Sequence, residues 1–146
     1  MKTIRPPWIK LVREGAAAPP GTRIGGPGDV ARLLAPRAAS ELVEVFYAIA
    51  LASDSRVIAV TEVTRGTLNS SLVHAREVFR FAITLGAAGV VVAHNHPSGN
   101  PTPSTDDKNV TRTLVESGRI LDIPVYDHVV LGAAGRYVSF AEAGLL

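Results

Sequence analysis

Residues 90–107 read VVVAHNHPSGNPTPSTDD, and the order of residue types in this stretch sets the architecture around it. Three valines and an alanine run into two histidines one residue apart, and a loop with three prolines and a glycine follows. Ser104 then restarts regular structure, with Asp107 three residues later. In an extended segment alternate side chains share a face, so His94 and His96 project together while Asn95 points away. The Pro/Gly-rich loop suits a sharp reversal at limited entropic cost, which can carry Asp107 back to the same point. Two imidazoles and one carboxylate leave a fourth position for water, the pattern of catalytic rather than structural zinc. Two imidazoles that end a buried strand also need partners. His94-x-His96-x(10)-Asp107 is therefore taken as a ligand set for Zn2+, with Asp106 as the competing carboxylate. Residues 104–107 read equally as a helix start, Ser104 bonding a free amide and the acids favouring the positive helix end. The two readings are compatible.

Outward from this stretch, residues 89–93 form the continuous apolar run expected of a central strand buried on both faces. Before it, a helix is expected over residues 72–85, with Val73, Val78, Phe81, Ala82 and Leu85 at helical spacing and Gly86 as its stop. Residues 66–71 read as a polar loop. Residues 41–51 are rich in β-formers, and Val43, Val45, Tyr47, Ile49 and Leu51 alternate along one face. Ser53, Asp54 and Ser55 make a turn, so residues 56–64 should return as an antiparallel partner. On that second strand Ile58, Val60 and Glu62 share a face, where a carboxylate is costly unless solvated, paired or used. After the loop, a helix over residues 105–121 presents Val110, Leu114, Val115 and Ile120. Pro124 opens a strand that runs to Leu131, and a turn at residues 132–135 leads into a last strand over residues 136–140. The order ββ-α-β-α-ββ predicts an α/β domain, a mixed sheet with flanking helices.

The 146 residues fit one domain with enough length for a working core, and 47% hydrophobic content marks it as globular. No cysteine is present, so disulfides and thiolate metal sites are excluded and His and carboxylate groups are the metal ligands on offer. Residues 1–28 hold five of the ten prolines and read as a weakly structured leader, with the domain proper over residues 29–146. Within the leader, residues 8–12 form a candidate short strand. Asp29 is a candidate cap for a helix over residues 30–35 that Pro36 ends. No secretory signal or membrane-length apolar run is expected, which points to the cytoplasm. The formal charge of +2 is local in origin, because Lys2, Arg5, Lys10, Arg13 and Arg23 against Glu14 place +4 in the first 25 residues. That reads as a solvated tail before it reads as a phosphate-binding arm. Glycine-rich residues 21–28 lack both the dinucleotide fingerprint and the lysine of a phosphate loop.

The stretch HNHPSGNPTPSTDD resembles the JAMM motif, His-x-His-x(7)-Ser-x-x-Asp, of the JAB/MPN metalloprotease superfamily, and most resembles its bacterial RadC branch. GTLNSSLVHAREVF at residues 66–79 and Asp127-His128 before VVLG extend the likeness over about residues 27–140. The resemblance implies a JAB/MPN-like mixed sheet in a cytidine-deaminase-like α/β/α layering. It also implies a bound zinc and hydrolysis of a peptide or isopeptide bond by a metal-activated water. JAMM proteins take their proton carrier from a glutamate on an earlier strand, and Glu62 matches it by its place in the second strand. By the same likeness Ser104 stabilises the charged oxygen of the tetrahedral intermediate besides capping the helix. His74, Asp127 and His128 match RadC-like positions without an assigned chemistry, and one of them could orient a ligand.

Two departures matter. RadC proteins usually carry an N-terminal helix-hairpin-helix DNA-binding module where this chain has its leader, and Ala75 stands where a proline commonly follows the histidine. The expected partner is a peptide or protein, with nucleic acid the weaker candidate and no membrane. A metal-dependent nuclease and a non-catalytic MPN-like scaffold are the alternative functions. The first lacks a carboxylate-rich two-metal cluster, and the second would be expected to have lost ligands that this chain keeps.

Overall fold

The computed structural model describes residues 18–19, 21–66 and 73–146. The strand reading of residues 8–12, most of the leader and the loop after Gly66 lie outside the described residues. Three helices, α1 (Pro27–Ala38), α2 (Ala75–Thr84) and α3 (Thr105–Leu121), accompany five strands. These are β1 (Val45–Leu51), β2 (Val57–Arg65), β3 (Gly89–Asn95), β4 (Val125–Leu131) and β5 (Tyr137–Ser139). They form one mixed sheet in the order β2-β1-β3-β4-β5. β3 and β4 run parallel and every other pair antiparallel. The parallel pair needs a crossover, and α3 supplies it.

β1 and β3 are buried at every position, which is why their sequences read as apolar runs. On one face Phe46, Ala48, Val90 and Val92 pack against Val78 and Phe81 of α2 and Val110 and Leu114 of α3. On the other, Tyr47, Ile49, Val91 and Ala93 pack against Val30, Ala31 and Leu34 of α1. The result is a mixed sheet with flanking helices, as the order of elements predicts, in the α/β/α layering that the resemblance implies.

α1 is longer than the sequence indicates at both ends. Pro27 occupies its first turn, where a missing N–H is harmless, and Asp29 accepts a hydrogen bond from Gly25 N at 2.7 Å. Pro36 lies inside the helix instead of ending it, and Ala39 N still reaches Ala35 O at 3.0 Å. Residues 22–24 also join the fold, because Val57 N donates to Thr22 O and Ile24 N to Ser55 O. Ile120, expected to pack, is 83% exposed near the end of α3.

Two bulges decide which side chains face α2 and α3. Phe46 pairs with Thr64 but Tyr47 pairs with Glu62, so Val63 is an extra residue in β2. Val90 pairs with Val125 but Val91 pairs with Asp127, so Tyr126 is an extra residue in β4. Each insertion reverses the alternation of side chains beyond it.

Candidate metal centre

β3 delivers His94 to the α2/α3 face, fully buried and stacked near Phe46 at a ring separation of 6.0 Å. The chain turns back at Gly99, where φ is +86° and an added Cβ would lie 2.9 Å from the Ala133 Cβ. Gly99 O accepts from Ala133 N at 2.9 Å and from Arg136 Nη2 at 2.9 Å, which ties the loop to the β4–β5 connection. α3 then opens with a reciprocal cap. Ser104 Oγ accepts from Asp107 N at 3.0 Å, and Ser104 N donates to Asp107 Oδ2 at 2.8 Å. The cap and the metal reading therefore share one residue, since the capped carboxylate faces the histidines.

His94 Nε2 lies 3.1 Å from Asp107 Oδ1, His96 Nε2 lies 3.1 Å from Asp107 Oδ2, and the two Nε2 atoms are 2.9 Å apart. His96 Nδ1 is 2.7 Å from Asn100 O. A carbonyl only accepts, so that nitrogen carries the proton and a neutral His96 presents a bare Nε2. Lone pairs thus converge on one point, which calls for a cation or a shared proton. His94, His96 and Asp107 can hold one metal ion, and their borderline N and O donors suit a zinc-class divalent cation. Asp106 is exposed and outside the group.

The electrostatics agree with this geometry. The hydrogen-bonded Asp107 carboxylate holds the His96 imidazole above its usual range against the effect of burial, with help from Asn100 O and the charge of Glu44. Burial pushes the Asp107 carboxyl up, but the facing histidines and the Ser104 N–H outweigh it and hold the group well below the usual carboxylate range.

Glu62 is not brought to this cluster. The bulge at Val63 pairs it with Tyr47 on the α1 face, where it accepts from Arg65 Nη2 at 2.6 Å. Arg65 also binds Glu41 at 2.6 and 2.8 Å, so Glu62 belongs to an ion-pair group on the far side of the sheet. Glu44 is the carboxylate that sequence reasoning missed. It lies just before β1, two residues ahead of Phe46, which pairs with His94, and its charge helps hold the His96 imidazole above its usual range. Asn95 fixes the backbone on both sides of it, donating to Val43 O at 3.0 Å and accepting from Val45 N at 2.8 Å. The signal in the sequence was its spacing from Phe46, readable only with the β1–β3 register known.

His74 is exposed at the start of α2 and makes no side-chain capping bond. Asp127 and His128 point to opposite faces. The Asp127 carboxylate accepts from Ser139 Oγ at 2.6 Å, Ala141 N at 3.0 Å and His128 N at 2.8 Å. His128 turns to the cluster, its Nε2 2.8 Å from His94 Nδ1.

The layered fold and a His-x-His at the end of a strand, completed from the next helix, together define a JAB-type domain. A family model described as the RadC-like JAB domain matches residues 24–145, and the chain belongs to that family. Over 133 residues it is 50% identical to a UPF0758 protein of Symbiobacterium thermophilum, covering 90% of this chain and 56% of that protein. Over 125 residues it is 47% identical to a UPF0758 protein of Moorella thermoacetica, covering 86% and 54%. A UPF0758 protein of Methanosarcina mazei is 40% identical over 127 residues, covering 87% and 55%. The chain spans about half the length of the curated relatives it matches. Among the described residues no helix is long and apolar enough to cross a membrane.

Proposed function

We propose that this chain is a zinc-dependent hydrolase of the JAMM type that cleaves a peptide or isopeptide bond, with Glu44 in the role anticipated for Glu62. The observation that supports it is the convergence of His94, His96 and Asp107 within 3.1 Å, with the charge of Glu44 acting at the same place. Zinc held by these ligands supplies Lewis acidity and brings the pKa of a water close to neutrality.

The chain's own groups do the rest. Ser104 N and Asn100 O hold Asp107 and His96 in their orientations, so little reorganisation is needed when a substrate arrives. The His96 side chain is 13% exposed while that of His94 is fully buried, so the substrate approaches from the side of His96 and Ser104. Glu44 takes the proton of the attacking water and passes it to the leaving amine. The Ser104 cap engages an oxygen lone pair and leaves the hydroxyl proton to donate to the developing oxyanion.

The test combines metal content with turnover on a library of peptide-linked and isopeptide-linked substrates. Glu44→Gln should keep one zinc per chain and lose about 10²-fold or more in turnover, the usual scale for a general base. Glu62→Gln should leave both unchanged. The opposite pattern would return the role to Glu62. A purified chain without zinc, whose zinc affinity is indifferent to His96→Ala, would leave the scaffold reading. Cleavage of single-stranded DNA lost in the same variants would leave the nuclease.

A further inference from the structure

A buried chain of hydrogen bonds runs behind the cluster and uses none of the ligand atoms. Thr111 Oγ1 is 2.7 Å from Asp107 O and also contacts His128 Nδ1, and His128 Nε2 is 2.8 Å from His94 Nδ1. Thr111, His128 and His94 are 1%, 0% and 0% exposed, so no solvent is available to replace these contacts. The direction of every proton follows from the far end. Asp107 O is a carbonyl and only accepts, so the single Thr111 hydroxyl proton goes to it. Toward His128 the same hydroxyl can only accept, which places the His128 proton on Nδ1.

His128 is neutral in this setting. Its ring is stacked on Phe140 at 4.6 Å and edge-on to Phe46 at 5.5 Å, and its hydrogen-bond partners are an imidazole and a hydroxyl, with no carboxylate among them. A buried imidazolium there would lack a counter-ion. With its proton on Nδ1, neutral His128 accepts at Nε2, so His94 must donate from Nδ1.

We infer that Thr111 and His128 are positioning residues that lock His94 as the Nδ1–H tautomer, so that its Nε2 is bare toward His96 and Asp107 before any ion binds. This rests on the reading of His94, His96 and Asp107 as ligands. The chain also returns to the backbone of Asp107, so two of the three ligands are coupled through Thr111 and His128 and hold their relative position as a unit. An imidazole behind His94 adds no negative charge, unlike a carboxylate in the same place, and a bound cation keeps more of its polarising power. The bulge at Tyr126 makes this possible, because with Tyr126 in regular alternation after Val125 His128 would face α1.

The direct test is nitrogen-15 NMR of the histidine side chains in the metal-free chain. His94 and His128 should both show protonated Nδ1 and bare Nε2, and a His94 protonated on Nε2 would overturn the inference. Zinc titration provides the second arm. His128→Ala should weaken zinc binding about 10- to 100-fold, the scale of outer hydrogen-bond partners of metal ligands. His128→Gln, whose amide can accept from His94 and donate to Thr111, should recover most of the loss. Thr111→Val, a near-isosteric change that serves if His128→Ala does not fold, should weaken zinc binding less and leave His128 in mixed tautomers. Zinc affinity unchanged in His128→Ala and Thr111→Val would overturn the inference. A wild-type chain that shows the expected tautomers but takes up no zinc would support the proton order and refute the proposed function, which keeps the two failures apart.

Discussion

His96 donates through Nδ1 to Asn100 O at 2.7 Å and turns Nε2 to Asp107 Oδ2 at 3.1 Å, so in the metal-free chain a proton on Nε2 does part of the work of a cation. The carboxylate partner raises the affinity of that nitrogen for the proton, and an incoming metal must displace it. Zinc affinity should therefore rise with pH by up to about tenfold per unit while His96 is protonated, then level off above its raised pKa. Competition titrations between about pH 6 and 9 would show this, and a flat profile would contradict the assignment of His96 as a ligand. The capping duty of Ser104 and the oxyanion duty proposed for it separate at the same scale. Ser104→Ala removes the acceptor for Asp107 N at a cost of about 1 kcal/mol in stability, but the backbone N–H that orients the carboxylate stays. Denaturation should report that loss and turnover should fall, with zinc affinity nearly unchanged. A collapse of zinc affinity would instead make the hydroxyl part of the metal site.

At the scale of elements, Asn95 joins β1 to the cluster through its bonds to Val43 O and Val45 N. Asn95→Ala leaves the buried Val45 N–H without that partner and should cost about 1–3 kcal/mol. Zinc content should persist while turnover drops, because the change loosens Glu44 and spares the ligands. Loss of zinc in a folded Asn95→Ala chain would show that β1 positions the ligands themselves. The same elements show what could be read in advance. The ligand set was legible because strand, loop and helix cap are consecutive, and spacing within them is local. The limits of α3 were legible because Ser104 and Asp107 cap it and its apolar spacing is strong. Pro36 misled because a proline in the last turn removes one bond, which need not end a helix. The faces of β2 and β4 were not legible beyond Val63 and Tyr126. A bulge is set by pairing with another strand, and one inserted residue moves Glu62 away from the cluster and His128 toward it.

Across the whole molecule, these groups set opposing pH dependences in the metal-free chain. His96 has a raised pKa when folded, so its contribution to stability is complete below the unfolded value near 6.5 and is lost as pH rises through the folded value. His128 has the reverse sign. Burial holds its pKa well below the usual range, so the unfolded chain binds a proton that the folded chain refuses. Stability is then lost as pH falls from about 6.5 toward the folded pKa, by up to about 1.4 kcal/mol per unit. Asp107, depressed on folding, adds a further loss as pH falls below about 4. Urea denaturation of the chelator-treated chain should therefore show maximal stability near pH 6.5, with His96 shaping the alkaline limb and His128 the upper acid limb. His128→Gln should flatten the acid limb down to about pH 4 and leave the Asp107 loss in place. Zinc at a hundredfold excess over its Kd should add about 2.7 kcal/mol, or about 5–10 °C in Tm for a domain of this size. It should also move the maximum to higher pH, since the ion then replaces the proton on His96. A maximum unmoved by zinc would mean that the cation binds elsewhere than among His94, His96 and Asp107.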